Sequence, residues 1–163
     1  MKRYLFVIAL SFALIGCASE PPEPPEPPPP TIVNLQIDAA DNLNADSNGN
    51  GAPVMVRIYE LNGVSNFNAT DFFALFNDDQ AALGMDLNHK QDFLLKPNES
   101  KKLVIKPDDE VQSLGFFAAF RQLDTATWRA VVQVQPNQTQ SYIVKLVNNQ
   151  LTVELVKPEP EAE

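Results

Sequence analysis

The 163-residue sequence contains one cysteine, one histidine and one tryptophan. A single cysteine rules out an intramolecular disulfide. The lone histidine, His89, has no second soft ligand, so zinc binding and Cys–His nucleophilic chemistry fail on ligand count. Basic residues are scarce as well: 12 Lys and Arg face 21 Asp and Glu, a formal charge of −9, which excludes a nucleic-acid partner. No apolar run approaches the ~20 residues needed to cross a bilayer. Neither a Gly-x-Ser-x-Gly elbow nor a phosphate-cradling glycine loop is present, so a Ser–His–Asp site built on His89 has no nucleophile to go with it.

The N-terminus carries the strongest signal. Lys2 and Arg3 precede an apolar stretch from Leu5 to Ile15 that closes on Gly16-Cys17, the layout of a secretory signal peptide over residues 1–16. Leu14-Ile15-Gly16-Cys17 resembles the bacterial lipobox, in which cleavage precedes the cysteine and its thiol takes a diacylglycerol. Cys17 is therefore the expected lipidation site, and a covalent lipid is the only non-protein group expected. An exported free thiol would otherwise be a liability. Acyl chains contribute about 0.8 kcal/mol per buried CH₂, enough together for stable anchoring. Ala18 follows the cysteine where an Asp would signal inner-membrane retention. This points to the periplasmic leaflet of the outer membrane. Without Lys2 and Arg3 the mature chain has 10 basic and 21 acidic residues, or −11, and so does not adsorb to anionic lipid by charge.

Residues 17–30 form a linker that is nearly all proline and glutamate. Proline lacks a backbone donor and fixes φ, so the segment is expected as polyproline II, a spacer of about 30 Å at ~3.1 Å per residue. A single domain is expected over 31–156, followed by a disordered Pro/Glu tail at 157–163.

Within the domain, period-two patterning dominates. Val33, Leu35 and Ile37 alternate with polar residues in a first strand. A second runs from Pro53 to Leu61, with Val54, Val56 and Ile58 on one face and Met55, Arg57 and Tyr59 on the other. Between them lies a polar, glycine-containing loop longer than a hairpin needs: Asp41, Asn42, Leu43, Asn44, Ala45, Asp46, Ser47, Asn48, Gly49, Asn50, Gly51 and Ala52. A helical insertion is expected over about 66–88. Thr70 or Asp71 caps a helix through Phe72–Phe76, Asp78-Asp79 opens another, and Gly84 stops it. Strands return as a hairpin pairing Phe93–Leu95 with Leu103–Ile105 across Pro97-Asn98-Glu99. An apolar central strand follows at Leu114–Phe120, then an alternating one around Trp128–Val134. A last hairpin turns at Asn148-Asn149. About eight strands make an all-β antiparallel sandwich.

Other constellations are weak. Asp46, Asn48, Asn50 and Gly51 match four positions of an EF-hand loop, but the twelfth is Arg57 instead of a bidentate Glu, so a solvated turn is expected and no metal. Asp78-Asp79 and Asp108-Asp109-Glu110 are adjacent acids of the kind found at helix starts and in loops. Phe67, Phe72, Phe73 and Phe76 form a partner surface or, the preferred reading, the core of the insertion. Arg57, Arg121 and Arg129 are expected to face outward or to pair with acids. No catalytic residue, cofactor or small-molecule substrate is expected.

Several segments in order carry a resemblance: the lipobox, Val54-Met55-Val56-Arg57-Ile58-Tyr59-Glu60-Leu61, Asp71-Phe72-Phe73-Ala74-Leu75-Phe76, Leu95-Lys96-Pro97-Asn98-Glu99-Ser100, and Ala118 to Asp124 with Thr127-Trp128-Arg129-Ala130. Together these resemble the TssJ (SciN) outer-membrane lipoproteins of the bacterial type VI secretion system. The resemblance implies a transthyretin-like sandwich of two four-stranded antiparallel sheets with a small helical insertion. It also implies a structural role without catalysis: tethering the trans-envelope complex by binding the periplasmic C-terminal region of the inner-membrane protein TssM. In that family the loop between the first two strands makes the contact, here Asp41–Ala52, and shortening it to a two-residue turn is expected to abolish binding with the fold intact. The competing reading is a periplasmic carrier or chaperone holding an apolar ligand inside the sandwich.

Overall fold

The computed structural model describes residues 26–157. The expected signal peptide, Cys17, the linker up to residue 25 and the tail from residue 158 lie outside the described residues. The chain order is β1 (Ile32–Ala39), β2 (Val54–Leu61), α1 (Ser65–Ala69), α2 (Phe72–Leu83), a 3₁₀ turn at Gly84–Asp86, β3 (Leu87–Leu95), β4 (Ser100–Ile105) and β5 (Ser113–Ala118). A second 3₁₀ turn at Leu123–Thr125 precedes β6 (Arg129–Gln133), β7 (Thr139–Val147) and β8 (Gln150–Leu155).

The strands form two four-stranded sheets, ordered β4-β1-β7-β8 and β3-β2-β5-β6, a mostly β architecture carrying a small helical insertion. Alternation in β1 and β2 places Val33, Leu35 and Ile37 against Val56, Ile58 and Phe116, all at most 2% exposed, in the layer between the sheets. Every residue of β5 is buried, because its inner residues face the other sheet while Phe117 on its outer face meets the insertion. Gly115 permits this second contact, since a Cβ there would sit 3.0 Å from Leu61 and 3.1 Å from the Phe67 ring.

Two pairings depart from the sequence expectation. The sheets are not wholly antiparallel: β1 lies parallel to β7, with Ile32 opposite Thr139 and Ala39 opposite Leu146. After β6 the chain crosses to the other sheet, and the Ile32 N–H reaches the Gln138 carbonyl, so β7 enters beside the start of β1 and runs with it. Period-two patterning reports which face is buried and carries no strand direction. The expected hairpin of Phe93–Leu95 with Leu103–Ile105 is also absent. A tight turn joins β3 to β4, with Asn98 at φ 61°, yet β3 pairs with β2 and β4 with β1. The same turn chemistry serves a hairpin or a corner between sheets. The β7–β8 hairpin is as expected, with Asn148 at φ 54°.

The insertion spans Ser65–Asp86, and β3 begins earlier than the pattern suggested, at Leu87. Asp71 caps α2 by accepting the Ala74 N–H at 3.0 Å. Asp78 leaves helical geometry and caps the second segment through the Ala81 N–H at 3.1 Å. Gly84, at φ 55°, stops it. Two arginines of the sheet hold the insertion down. Arg57 Nη1 donates to the Leu75 and Phe76 carbonyls and lies 3.2 Å from Asp79. Arg129 Nη1 donates to Phe67 and Thr70 carbonyls, its guanidinium over the Trp128 ring at 4.7 Å. Buried Asp79 also takes Lys90 at 2.8 Å and the Tyr59 hydroxyl. Burial holds the Tyr59 phenol above its ordinary pKa, so it donates as a neutral group. Arg57 Nε lies 3.3 Å from Asp92 but is not aligned for a hydrogen bond.

Glu60 continues the inward series of Val56 and Ile58 and is 7% exposed. Burial raises its carboxyl pKa, opposed by His89 across the strand pair and assisted by Asp108. A raised folded-state value means its contribution is present below the unfolded pKa and is lost as pH climbs through the folded one. Glu60→Gln is therefore expected to raise Tm at pH 7 by about 2–4 °C, and the gain should vanish at pH 4 in scanning calorimetry.

Candidate functional site

The β1–β2 loop, Asp41–Ala52, leaves the end of the sandwich opposite the entry of the linker. It has a fixed base and an exposed tip. Leu43 is 0% exposed and belongs to the inter-sheet core, and Asn44 is 6% exposed. Asn44 takes a left-handed conformation, φ 49°, which Asn tolerates better than most residues. This turn lets one residue join three segments: its side-chain Nδ2 donates to the Pro53 carbonyl at 3.1 Å, its Oδ1 accepts the Arg121 N–H at 2.9 Å, and its backbone N–H reaches the Asn148 carbonyl at 2.6 Å. Asn42 Oδ1 accepts the Asn148 N–H in return. The Ala52 N–H donates to Leu43, and the Asn98 N–H to Ala40. The base is thus sewn to the β3–β4, β5–β6 and β7–β8 connections.

Ser47–Gly51 stand exposed above it. Asp46 closes the tip: its Oδ1 accepts the Asn48 and Asn50 N–H groups at 2.8 and 3.0 Å, its Oδ2 the Asn50 amide, and its N–H meets the Asn50 carbonyl. The Asn50 backbone N–H, then its side chain, then the Asn48 N–H hold the Asp46 carboxyl below its usual pKa. These bonds commit the carboxylate to the turn, where the EF-hand resemblance would need it for a cation. No cluster of acids, His or Cys among the described residues is placed to hold a metal.

The structure scatters the remaining candidates. His89 is exposed on β3 opposite Glu60. Arg57 and Arg129 are structural, and Arg121 is exposed on the β5–β6 connection. The phenylalanines divide: Phe67 is buried and Phe72 stacks on Phe117 at 5.1 Å, whereas Phe73 and Phe76 are 63% and 40% exposed. Sequence reasoning found the loop but missed Asn44 as its staple. An asparagine flanked by a leucine in an otherwise polar loop was the available signal.

The chain is a two-sheet sandwich with a prestructured loop at one end and a helical flank. The chain belongs to the type VI secretion lipoprotein family that includes VasD, EvfM and TssJ, whose sequence profile matches residues 31–157. This is a structural, membrane-anchored family. No curated protein sequence matches the chain. Among solved structures, the lipoprotein TssJ1 from Pseudomonas aeruginosa is 38% identical with a TM-score of 0.77, over 81% of this chain and 100% of that one. Lip from Serratia marcescens, a membrane-bound component of the type VI secretion system, is 26% identical with a TM-score of 0.71, over 80% and 99%. A chain in a structure described as the TssM C-terminal domain (869–1107) from EAEC is 27% identical with a TM-score of 0.64, over 77% and 99%. No helix among the described residues is long and apolar enough to cross a membrane.

Proposed function

We propose that the chain is an outer-membrane tether. A lipid on Cys17 holds it in the periplasmic leaflet, and the Asp41–Ala52 loop grips the periplasmic C-terminal region of TssM. The observation that carries this reading is the loop itself, an exposed tip on a base fixed by Asn44, so little ordering entropy is lost on binding. Its position at the far end of β1 from the linker supports the reading too. The EAEC structure adds circumstantial support. Its matched chain is covered to 99% by 77% of this one, which fits a companion the size of this domain better than the 869–1107 segment.

The test is co-purification with the cognate TssM periplasmic region, followed by calorimetric titration. Failure to form a saturable complex would refute the reading. Cys17→Ser is expected to shift the protein from the outer-membrane to the soluble periplasmic fraction and to abolish palmitate labelling; a variant that still pellets with outer membrane would refute the anchor. The carrier alternative finds less support. The space between the sheets is filled by their own side chains, and the hollow of about 410 Å³ beside Val104 and Ile143 lies open on the outer face of β4-β1-β7-β8.

A further inference from the structure

We infer that the outer side of α2 is a second docking surface, fitted to a basic protein segment that places an apolar side chain beside Phe73. A shallow, open hollow of about 490 Å³ lies there, lined by Phe73, Asn77 and the small side chains of Ala74, Ala81 and Ala82, with Asp71 and Asp78 also in its lining. Its form follows from the sequence. The break at Asp78 bends the helix, and small residues on both sides of the bend leave the floor low.

Core packing does not account for Phe73. Its neighbour Phe72 makes the inward contacts, 5.1 Å to Phe117 and 5.4 Å to Trp128, while the Phe73 ring meets only Phe72 among aromatics, at 5.3 Å. A phenylalanine 63% exposed next to a concavity is the arrangement of an interaction site.

Charge selects the occupant. From Ser65 to Asp86 there are four aspartates and no lysine, arginine or histidine. Asp79 is neutralised by Arg57 and Lys90, and Asp86 accepts the Asn66 N–H. Asp71 and Asp78 use only Oδ1 as caps, which leaves each Oδ2 without a hydrogen-bond partner among the described residues. Two available carboxylates beside an apolar hollow attract Lys or Arg flanking an apolar residue. A second copy of the mature chain, at −11 overall and with no cation on its own insertion, and an anionic lipid surface are both repelled. The hollow shares no residue with the β1–β2 loop, so both surfaces can be occupied at once.

The probe is a capped hexapeptide with two central leucines flanked by lysines, compared with its glutamate counterpart, and the readout is amide NMR shifts. The protein is the full-length lipid-free chain. The lysine peptide is expected to saturate with Kd about 1 mM or tighter, shifting Phe73, Ala74 and Ala81, and the glutamate peptide to bind at least about tenfold more weakly. Phe73→Ser should weaken binding about tenfold with an unchanged melt. Asp71→Asn with Asp78→Asn, which keeps both caps because Asn also caps, should weaken it about fivefold and flatten its salt dependence. Absence of saturation, equal binding of the two peptides, shifts centred elsewhere, or self-association through Phe73 would each overturn the assignment. A loop-tip variant should bind the peptide normally, which separates this surface from the TssM reading.

Discussion

Replacing Asp46–Asn50 by an Asn-Gly turn is expected to weaken TssM binding about 30-fold or more, the loss of roughly 2 kcal/mol typical of a central contact. Tm should stay within about 3 °C, as for surface changes away from the core. The two flanks of the loop are already held together below the new turn, through Ala52 N–H to Leu43, and Asn-Gly supplies the positive φ a two-residue connection requires. Cutting the whole of Asp41–Ala52 is a different experiment, and here the structure corrects the sequence expectation. That deletion removes Leu43 from the core and the three bonds of Asn44, so the fold would not survive intact. Leu43→Ala alone should cost about 2–5 kcal/mol in urea unfolding. A tip replacement that binds TssM with unchanged affinity would place the contact elsewhere on the domain.

Arg57→Ala should destabilise the protein by about 3–5 kcal/mol, the cost of removing one partner from a buried pair. The side chain is 12% exposed and that of its partner Asp79 6%, so truncation leaves Asp79 to Lys90 and Tyr59 and frees the Leu75 and Phe76 carbonyls at the break in α2. An apolar double replacement, Arg57→Met with Asp79→Leu, should recover only part of the loss, because those carbonyls remain unpaired. Hydrogen exchange should rise over α1 and α2 first, with both sheets still protected. Equal loss of protection in β1 and in α2 would show that the insertion and the sandwich unfold as one unit.

The parts of this fold legible in the sequence were those that physics writes locally. Val33, Leu35 and Ile37 announce a half-buried strand, Leu114–Phe120 a doubly covered one, and Asp71, Asp78 and Gly84 punctuate the helices where they stand. Pairing partners were not legible, because they depend on contacts far along the chain. Nothing near Thr139 states that β7 will lie parallel to a strand more than a hundred residues earlier, and Pro97-Asn98-Glu99 reads alike for a hairpin or a corner. The loop could be located by its length and polarity, but its division into a core-bound base and an open tip required the positions of Arg121 and Asn148. The aromatic cluster was ambiguous for a similar reason: Phe72 and Phe73 are adjacent letters, and only the packing of α2 sends one inward and the other to solvent.

The placement of β1 has a mechanical consequence. It is an interior strand, hydrogen-bonded to β4 on one side from Val33 to Asp38 and to β7 on the other from Ile32 to Ala39, and the linker joins one of its ends while the loop leaves the other. A pull between those two ends runs along the covalent backbone of β1 itself, and the ladders on either side hold the strand in place without having to carry the load between its ends. A strand gripped on both sides and drawn lengthwise is well suited to a part that must transmit tension without stretching.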